Sequence, residues 1–144
     1  MPTIAKSALV THSPEDMFAL VDNVAAYEEF LPWCGGSKEL ERNEDEVKAS
    51  VMIAYGGLNK AFTTLNRLQK NKLIEMNLVD GPFKHLHGFW RFEPLGENAC
   101  KVSLDLEYEF SNRLIGMALG PVFSQIANTL LDSFVQRAED VYGN

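Results

Sequence analysis

From about Ser37 to Phe110 the apolar residues of this chain recur at every second position, and beyond Phe110 they recur at helical spacing instead. In "CKVSLDLEYEF", Cys100, Val102, Leu104, Leu106, Tyr108 and Phe110 share one side, while Lys101, Ser103, Asp105, Glu107 and Glu109 share the other. Successive side chains of a strand point to opposite faces, so the alternation predicts antiparallel strands with one apolar and one wet face. The same period groups Val47, Ala49, Val51, Ile53 and Tyr55, then Phe62, Thr64, Asn66 and Leu68, then Ile74, Met76, Leu78 and Asp80. "YGGLN", "QKNK" and "PLGEN" carry the glycine and asparagine chemistry of hairpin turns. Such a sheet has an apolar face that something must cover.

The cover is the C-terminal segment. Asn112 or Ser111 serves as an N-cap, and Ile115, Leu119, Val122, Phe123, Ile126, Leu130, Phe134, Ala138 and Val141 form one apolar stripe. Thirty residues at ~1.5 Å each make a rod of roughly 45 Å, long enough to cross a whole sheet. Gly120-Pro121 falls inside it, where proline removes the backbone bond to Met117 and predicts a kink. Upstream, "TIAKSALV" reads as a strand. Ser13, Pro14 and Asp16 then start a helix whose face is Met17, Leu20, Val21 and Val24. Pro32 and the Gly35-Gly36 pair break it after one further turn. The order is strand, helix, about six antiparallel strands, long helix. This is an α+β helix-grip arrangement, a curved sheet around a long terminal helix, and any curl of the sheet leaves a hollow beneath the helix.

Length and composition fit one domain spanning residues 1–144. A net charge of −7 argues against binding a phosphate backbone such as DNA non-specifically. Between Asn59 and Phe92, however, six cations (Lys60, Arg67, Lys70, Lys72, Lys84, Arg91) stand against Glu75 and Asp80 alone. They are the candidate contacts for an anionic partner. "MPTIAKSALVTHS" lacks a secretory pattern and no run of eighteen apolar residues occurs, so a cytoplasmic chain with reduced Cys34 and Cys100 is expected, with at most peripheral contact at the inner membrane face.

"DGPFKHLHGFWRF" places Leu86, Gly88, Trp90 and Phe92 on the core side and His85, His87, Phe89 and Arg91 outside. Two outward histidines without further ligands predict no metal site. Gly88 admits a close approach of another backbone or a ligand. Thr64 and Asn66 put polar groups among apolar neighbours, where they must satisfy each other, a water or a guest molecule. Cys34 reads as a half-buried loop cysteine without an activating base. Asp80 is the sole inward carboxylate in this register, and no phosphate loop, dinucleotide fingerprint or nucleophile elbow occurs, so no catalytic residue is assigned.

"MFALVDNVAAYEEFLPWC", "FTTLNRL", "IEMNLVDGPFKHLHGFWRF", "CKVSLDLEYEF" and "FVQRAEDVY" together resemble the bacterial ribosome-association toxin family, the RatA-type proteins. Those proteins are similar to coenzyme Q-binding proteins of the START-like, polyketide cyclase-related superfamily. The resemblance implies a START/Bet v1-like fold of six or seven strands with a hydrophobic tunnel. It implies ubiquinone or lipid binding that supports respiration in one branch. In the other it implies association with the large ribosomal subunit that hinders subunit joining. Carried over to this chain, the pattern puts Phe30, Leu31, Pro32, Trp33 and Cys34 at the cavity mouth. Phe62, Thr64, Asn66, Gly81, Pro82, Phe83, Leu86, Gly88 and Trp90 come from the sheet, and the inward positions Met76, Tyr108, Phe123 and Ile126 complete the expected lining. A non-enzymatic carrier is the leading expectation, with a cyclase or hydrolase acting in the same cavity as the alternative.

Overall fold

A computed structural model describes residues 2–143. Strand β1 (Thr3–Val10) leads into α1 (Pro14–Asp22), a 3₁₀ segment (Val24–Glu29), then β2 (Cys34–Arg42), β3 (Glu46–Tyr55), β4 (Leu58–Gln69), β5 (Leu73–Asp80), β6 (Phe83–Gly96), β7 (Ala99–Phe110) and α2 (Arg113–Tyr142). The seven strands form one antiparallel sheet in the order β1-β7-β6-β5-β4-β3-β2. The sheet is curved, and the long helix lies against its apolar face, as the alternation and the stripe predict.

Local chemistry sets the boundaries. The Ser13 hydroxyl accepts from the Asp16 amide at 3.1 Å, and Pro14 occupies the first turn of α1. The helix ends sooner than Pro32 would dictate. Asn23 leaves helical geometry, the 3₁₀ segment supplies the further turn, and Cys34 to Gly36 already belong to β2 rather than to a loop. Gly56 and Gly57 both have positive φ, the conformation a two-residue hairpin between β3 and β4 requires. Asn112 caps α2 by accepting from the Ile115 amide at 2.9 Å, and the helix continues without interruption through Pro121.

Two bulges change which face certain residues occupy. Thr63 pairs with Asp80 but Thr64 pairs with Leu78, so Val79 is an extra residue in β5. A bulge shifts the parity of everything beyond it, so Asp80 turns outward and is exposed, contrary to the inward carboxylate expected from strict alternation. The second bulge lies between Phe83 and His85 and brings Phe83 into the core opposite Phe110. At the chain's apolar positions the stripe holds except at its end, where Val141 is half exposed, while Ala127 and Leu131 are buried beside it. Tyr55, the last residue of the β3 pattern, is 57% exposed.

Burial forms two adjoining clusters. One gathers Met17, Val21, Trp90, Phe92, Cys100, Val102, Leu104, Leu131, Phe134 and Ala138 under the C-terminal half of α2. The other gathers Trp33, Ala49, Val51, Ile53, Phe83, Leu86, Leu106, Tyr108, Leu119, Phe123 and Ile126 under its N-terminal half. A Val, Leu, Ile or Phe side chain so buried contributes roughly 1.5–3 kcal/mol relative to exposure. Together the two clusters clamp the helix onto the sheet.

Candidate functional site

The second cluster is not solid. Between α2 and strands β3 to β7 lies a cavity of about 80 Å³, walled by Val24, Tyr27, Trp33, Ala49, Val51, Phe62, Thr64, Asn66, Met76, Leu86, Trp90, Leu104, Leu106, Phe123, Ile126, Ala127 and Leu130. The sheet supplies alternate residues of five strands, as a pleated surface must, and α2 supplies Phe123, Ile126, Ala127 and Leu130 at helical spacing. Trp33, Phe62, Thr64, Asn66, Met76, Leu86, Trp90, Phe123 and Ile126 are thus brought together as expected from the sequence.

Other expected residues lie elsewhere. Leu31 is 2% exposed inside the core, and Phe83 and Tyr108 form an aromatic group with Phe123, centroids 5.0 and 4.6 Å from its ring. Phe30 packs its edge on Phe134 and takes the Arg137 guanidinium over its face at 4.8 Å. Gly88 faces the sheet interior, where an added Cβ would meet the Asp105 carbonyl oxygen at 2.6 Å. Its bareness lets β6 and β7 close up, so the approach it permits is to backbone. Pro32 lines a separate outer groove of about 400 Å³ with Trp33, Tyr55, Pro121, Val122, Gln125, Ile126 and Thr129. Trp33 and Ile126 belong to both hollows and form the partition between them.

One polar pair interrupts the greasy wall. Thr64 and Asn66, each 8% exposed, join through a hydrogen bond from Thr64 Oγ1 to Asn66 Oδ1 at 2.9 Å. That bond uses the acceptor end of the amide, so the Asn66 NH₂ group retains its two donors for a partner. Tyr27 carries no periodic signal in the sequence because it sits in the 3₁₀ turn after α1. Its hydroxyl donates to the Val21 carbonyl, and burial, with Asp22 nearby, drives its pKa far above the usual phenol value. Among the described residues it is the only ionisable side chain on the cavity wall.

Neither cysteine reaches the cavity wall. The Cys34 thiol donates to the Gly36 carbonyl at 3.4 Å, and burial pushes its pKa up, the reverse of what activates a nucleophile. His87 lies outside the sheet as expected, 3.0 Å from the Glu75 carboxylate, and the Glu75 pKa is lowered chiefly by that hydrogen bond. The basic residues divide into two groups. Arg67, Lys70, Lys72 and Arg91 collect around the β4–β5 turn, where Arg67 meets Glu46 at 3.4 Å and Arg91 meets Asp105 at 2.6 Å. Lys60 lies roughly 30 Å away at the far end of β4, and Lys84 pairs with Glu109 at 3.7 Å.

A family profile described as polyketide cyclase / dehydrase and lipid transport matches residues 10–135. A ribosome association toxin RatA from Vibrio cholerae is 49% identical over 143 residues, covering 99% of each chain. A mitochondrial coenzyme Q-binding protein from Schizosaccharomyces pombe is 29% identical over 140 residues, covering 92% of this chain and 84% of that one. Among solved structures, the Zhui aromatase/cyclase from Streptomyces sp. R1128 superposes with a TM-score of 0.82 at 15% identity, over 96% of this chain and 93% of that one. At that identity the likeness is one of fold.

Proposed function

Since the chain belongs to the polyketide cyclase / dehydrase and lipid transport family, and within it to the RatA-type ribosome-association toxins, we propose that it is a non-enzymatic carrier of an isoprenoid quinone or similar lipid that also meets the large ribosomal subunit. The observation that carries the ligand reading is the buried Thr64–Asn66 pair in an otherwise apolar hollow. A quinone head offers only acceptors, and an amide NH₂ with two donors to spare complements it. The coenzyme Q-binding name of the distant relative supports the same class of ligand.

The resting cavity is smaller than the roughly 300–1,000 Å³ of ordinary ligand sites. Uptake therefore requires Trp33 and Ile126 to part, joining the inner hollow to the outer groove so that the head sits near Asn66 and the tail leaves past the partition. A cyclase or hydrolase would need an acid–base pair in the hollow. Asp80 is outside, and the Tyr27 hydroxyl is engaged and hard to ionise, so binding without chemistry is the reading favoured.

Mass spectrometry of lipid extracted from protein purified from its own host tests this directly. A stoichiometric quinone, with N66L abolishing saturable binding, is the expected result; an empty cavity and no saturable titration would count decisively against it. Ribosome association is tested by sedimentation with large subunits at low salt, in the cytoplasmic setting this role requires. K70E/K72E should weaken the association if the β4–β5 turn makes the contact, and failure of the native chain to travel with the subunit would remove that half of the proposal.

A further inference from the structure

Acidic hairpin tips and the nearly uncharged half of α2 stand at opposite ends of this molecule, while the β4–β5 turn with Lys70 and Lys72 shares the acidic end. The β2–β3 hairpin with Glu44 and Asp45, the β6–β7 hairpin with Glu97, and the C-terminal turns of α2 with Glu139 and Asp140 lie at one end of the sheet. At the other end stand the β3–β4 hairpin, the β5–β6 turn and the start of α2. From Arg113 to Leu131 the helix carries a single charged residue, Arg113 itself.

That half of α2 is more apolar than a core helix needs to be. The helix is long and apolar enough by composition to cross a membrane, yet only 28% of its most apolar eighteen-residue window is buried. Phe123 and Ile126 face the cavity, while Leu114 (78% exposed), Met117 (69%) and Pro121 run along the solvent side at i, i+3 and i+7. Pro121 and Tyr55 then line the outer groove, whose inner wall is the Trp33–Ile126 partition. Lys60 pairs in register with Ile53 on the same sheet face as Tyr55, and Arg113 opens the helix; among the described residues neither is held in an ion pair.

We infer that this pole docks on an anionic lipid bilayer, with Leu114, Met117 and Tyr55 entering the headgroup boundary and Lys60 and Arg113 meeting lipid phosphates, so that the outer groove opens into the membrane. The occupant is fixed by three features together. The exposed apolar row is continuous with the groove that leads to the cavity. Two unpaired cations flank it, the mixture that holds a helix at an interface. No acidic residue falls on α2 before Asp132, so the helix face turned to the phosphates carries no like charge. The inference rests on the carrier reading above and adds where the guest is exchanged.

The test is flotation of the full chain, without quinone, with vesicles of phosphatidylethanolamine and phosphatidylglycerol, alongside quinone titration in detergent. The native chain should float; L114D/M117D should lower its partition by more than about tenfold, and K60E/R113E should weaken it, while both variants keep their melting temperature and their quinone binding in detergent. L9D/L95D, which alters equally exposed leucines at the acidic pole, should float like the native chain. The proposal is overturned if the native chain stays at the bottom, if L114D/M117D floats unchanged, or if L9D/L95D loses flotation equally. It is likewise overturned if L114D/M117D loses the large ribosomal subunit but keeps the vesicles, which would make the surface a ribosome contact. Quinone bound in detergent without flotation would defeat docking and leave the carrier reading standing; flotation without quinone binding would do the opposite.

Discussion

Phe123 and Phe134 lie eleven residues apart on the same side of α2, and their surroundings differ. Phe134 is fully enclosed, its ring 5.2 to 5.3 Å from those of Trp90, Tyr27 and Phe30, with Met17, Cys100, Val102 and Ala138 around it at no exposure. Phe123 also meets aromatic neighbours, but one side of it borders the hollow, where Phe62, Met76 and Leu130 are only partly buried. One helix and one sheet thus build a close-packed end and an unfilled end. The packed end holds the clamp shut, and the other end keeps the hollow.

The strongest way to break this comparison is F134A. Removing a fully enclosed ring should lower stability by about 3–5 kcal/mol, seen as a fall in the denaturant midpoint; a loss under about 1 kcal/mol would mean that this end is not the tight one. Next comes G88A, where the new Cβ meets the Asp105 carbonyl oxygen at 2.6 Å and Leu106 Cδ1 at 2.9 Å. Backbone cannot yield cheaply, so a loss of about 1–3 kcal/mol is expected, against little change for G36A, where an added Cβ meets nothing within 4 Å. Equal midpoints for the two variants would contradict the assigned closeness of β6 and β7.

A138V and A127V sharpen the contrast with one chemical change. At the packed end an extra pair of methyl groups should cost about 1–3 kcal/mol. At Ala127, on the cavity wall, the same groups fill empty space, so stability should hold while quinone capture falls. Identical stability losses would show that the hollow is closed to added volume. The smallest effect concerns pH. Burial pushes the Cys100 thiol up from 9.0 to about 11, so the folded state favours the neutral thiol. That contribution is complete below pH 9 and is lost as pH rises toward 11. Denaturant midpoints measured at about pH 8 and about pH 10.5 should fall less in C100A than in the native chain; parallel falls would refute the assignment.

Where strands are regular, the sequence is a good guide. The faces of β3, β4, β5 before its bulge, β6 beyond its bulge, and β7 follow from period two, so Thr64, Asn66, Met76, Leu86 and Trp90 are placeable on the cavity side from residues alone. What escaped has a common cause. Asp80 and Phe83 lie beyond one-residue bulges that no local signal marks and that reverse the parity a regular strand would have. Tyr27 and Val24 sit in a 3₁₀ segment whose facing depends on how it folds back beside β2. Cys34 looks like a loop residue in the sequence because the glycines after it resemble a turn, although Gly35 and Gly36 are strand residues at an irregularity in β2. The basic block is continuous in sequence but divided in space, because β4 carries Lys60 and Lys70 to opposite ends of the sheet.

The length of the sheet also governs how the molecule meets its surroundings. Strand β3 spans ten residues, so its ends are about 30 Å apart, several times the ~8 Å screening length of physiological salt. Each tip therefore feels an approaching phosphate-rich body on its own account, whatever the total charge. On the two contacts proposed above, a ribosome would meet the Lys70–Lys72 turn and a bilayer the end that carries the groove, so neither partner covers the other's surface.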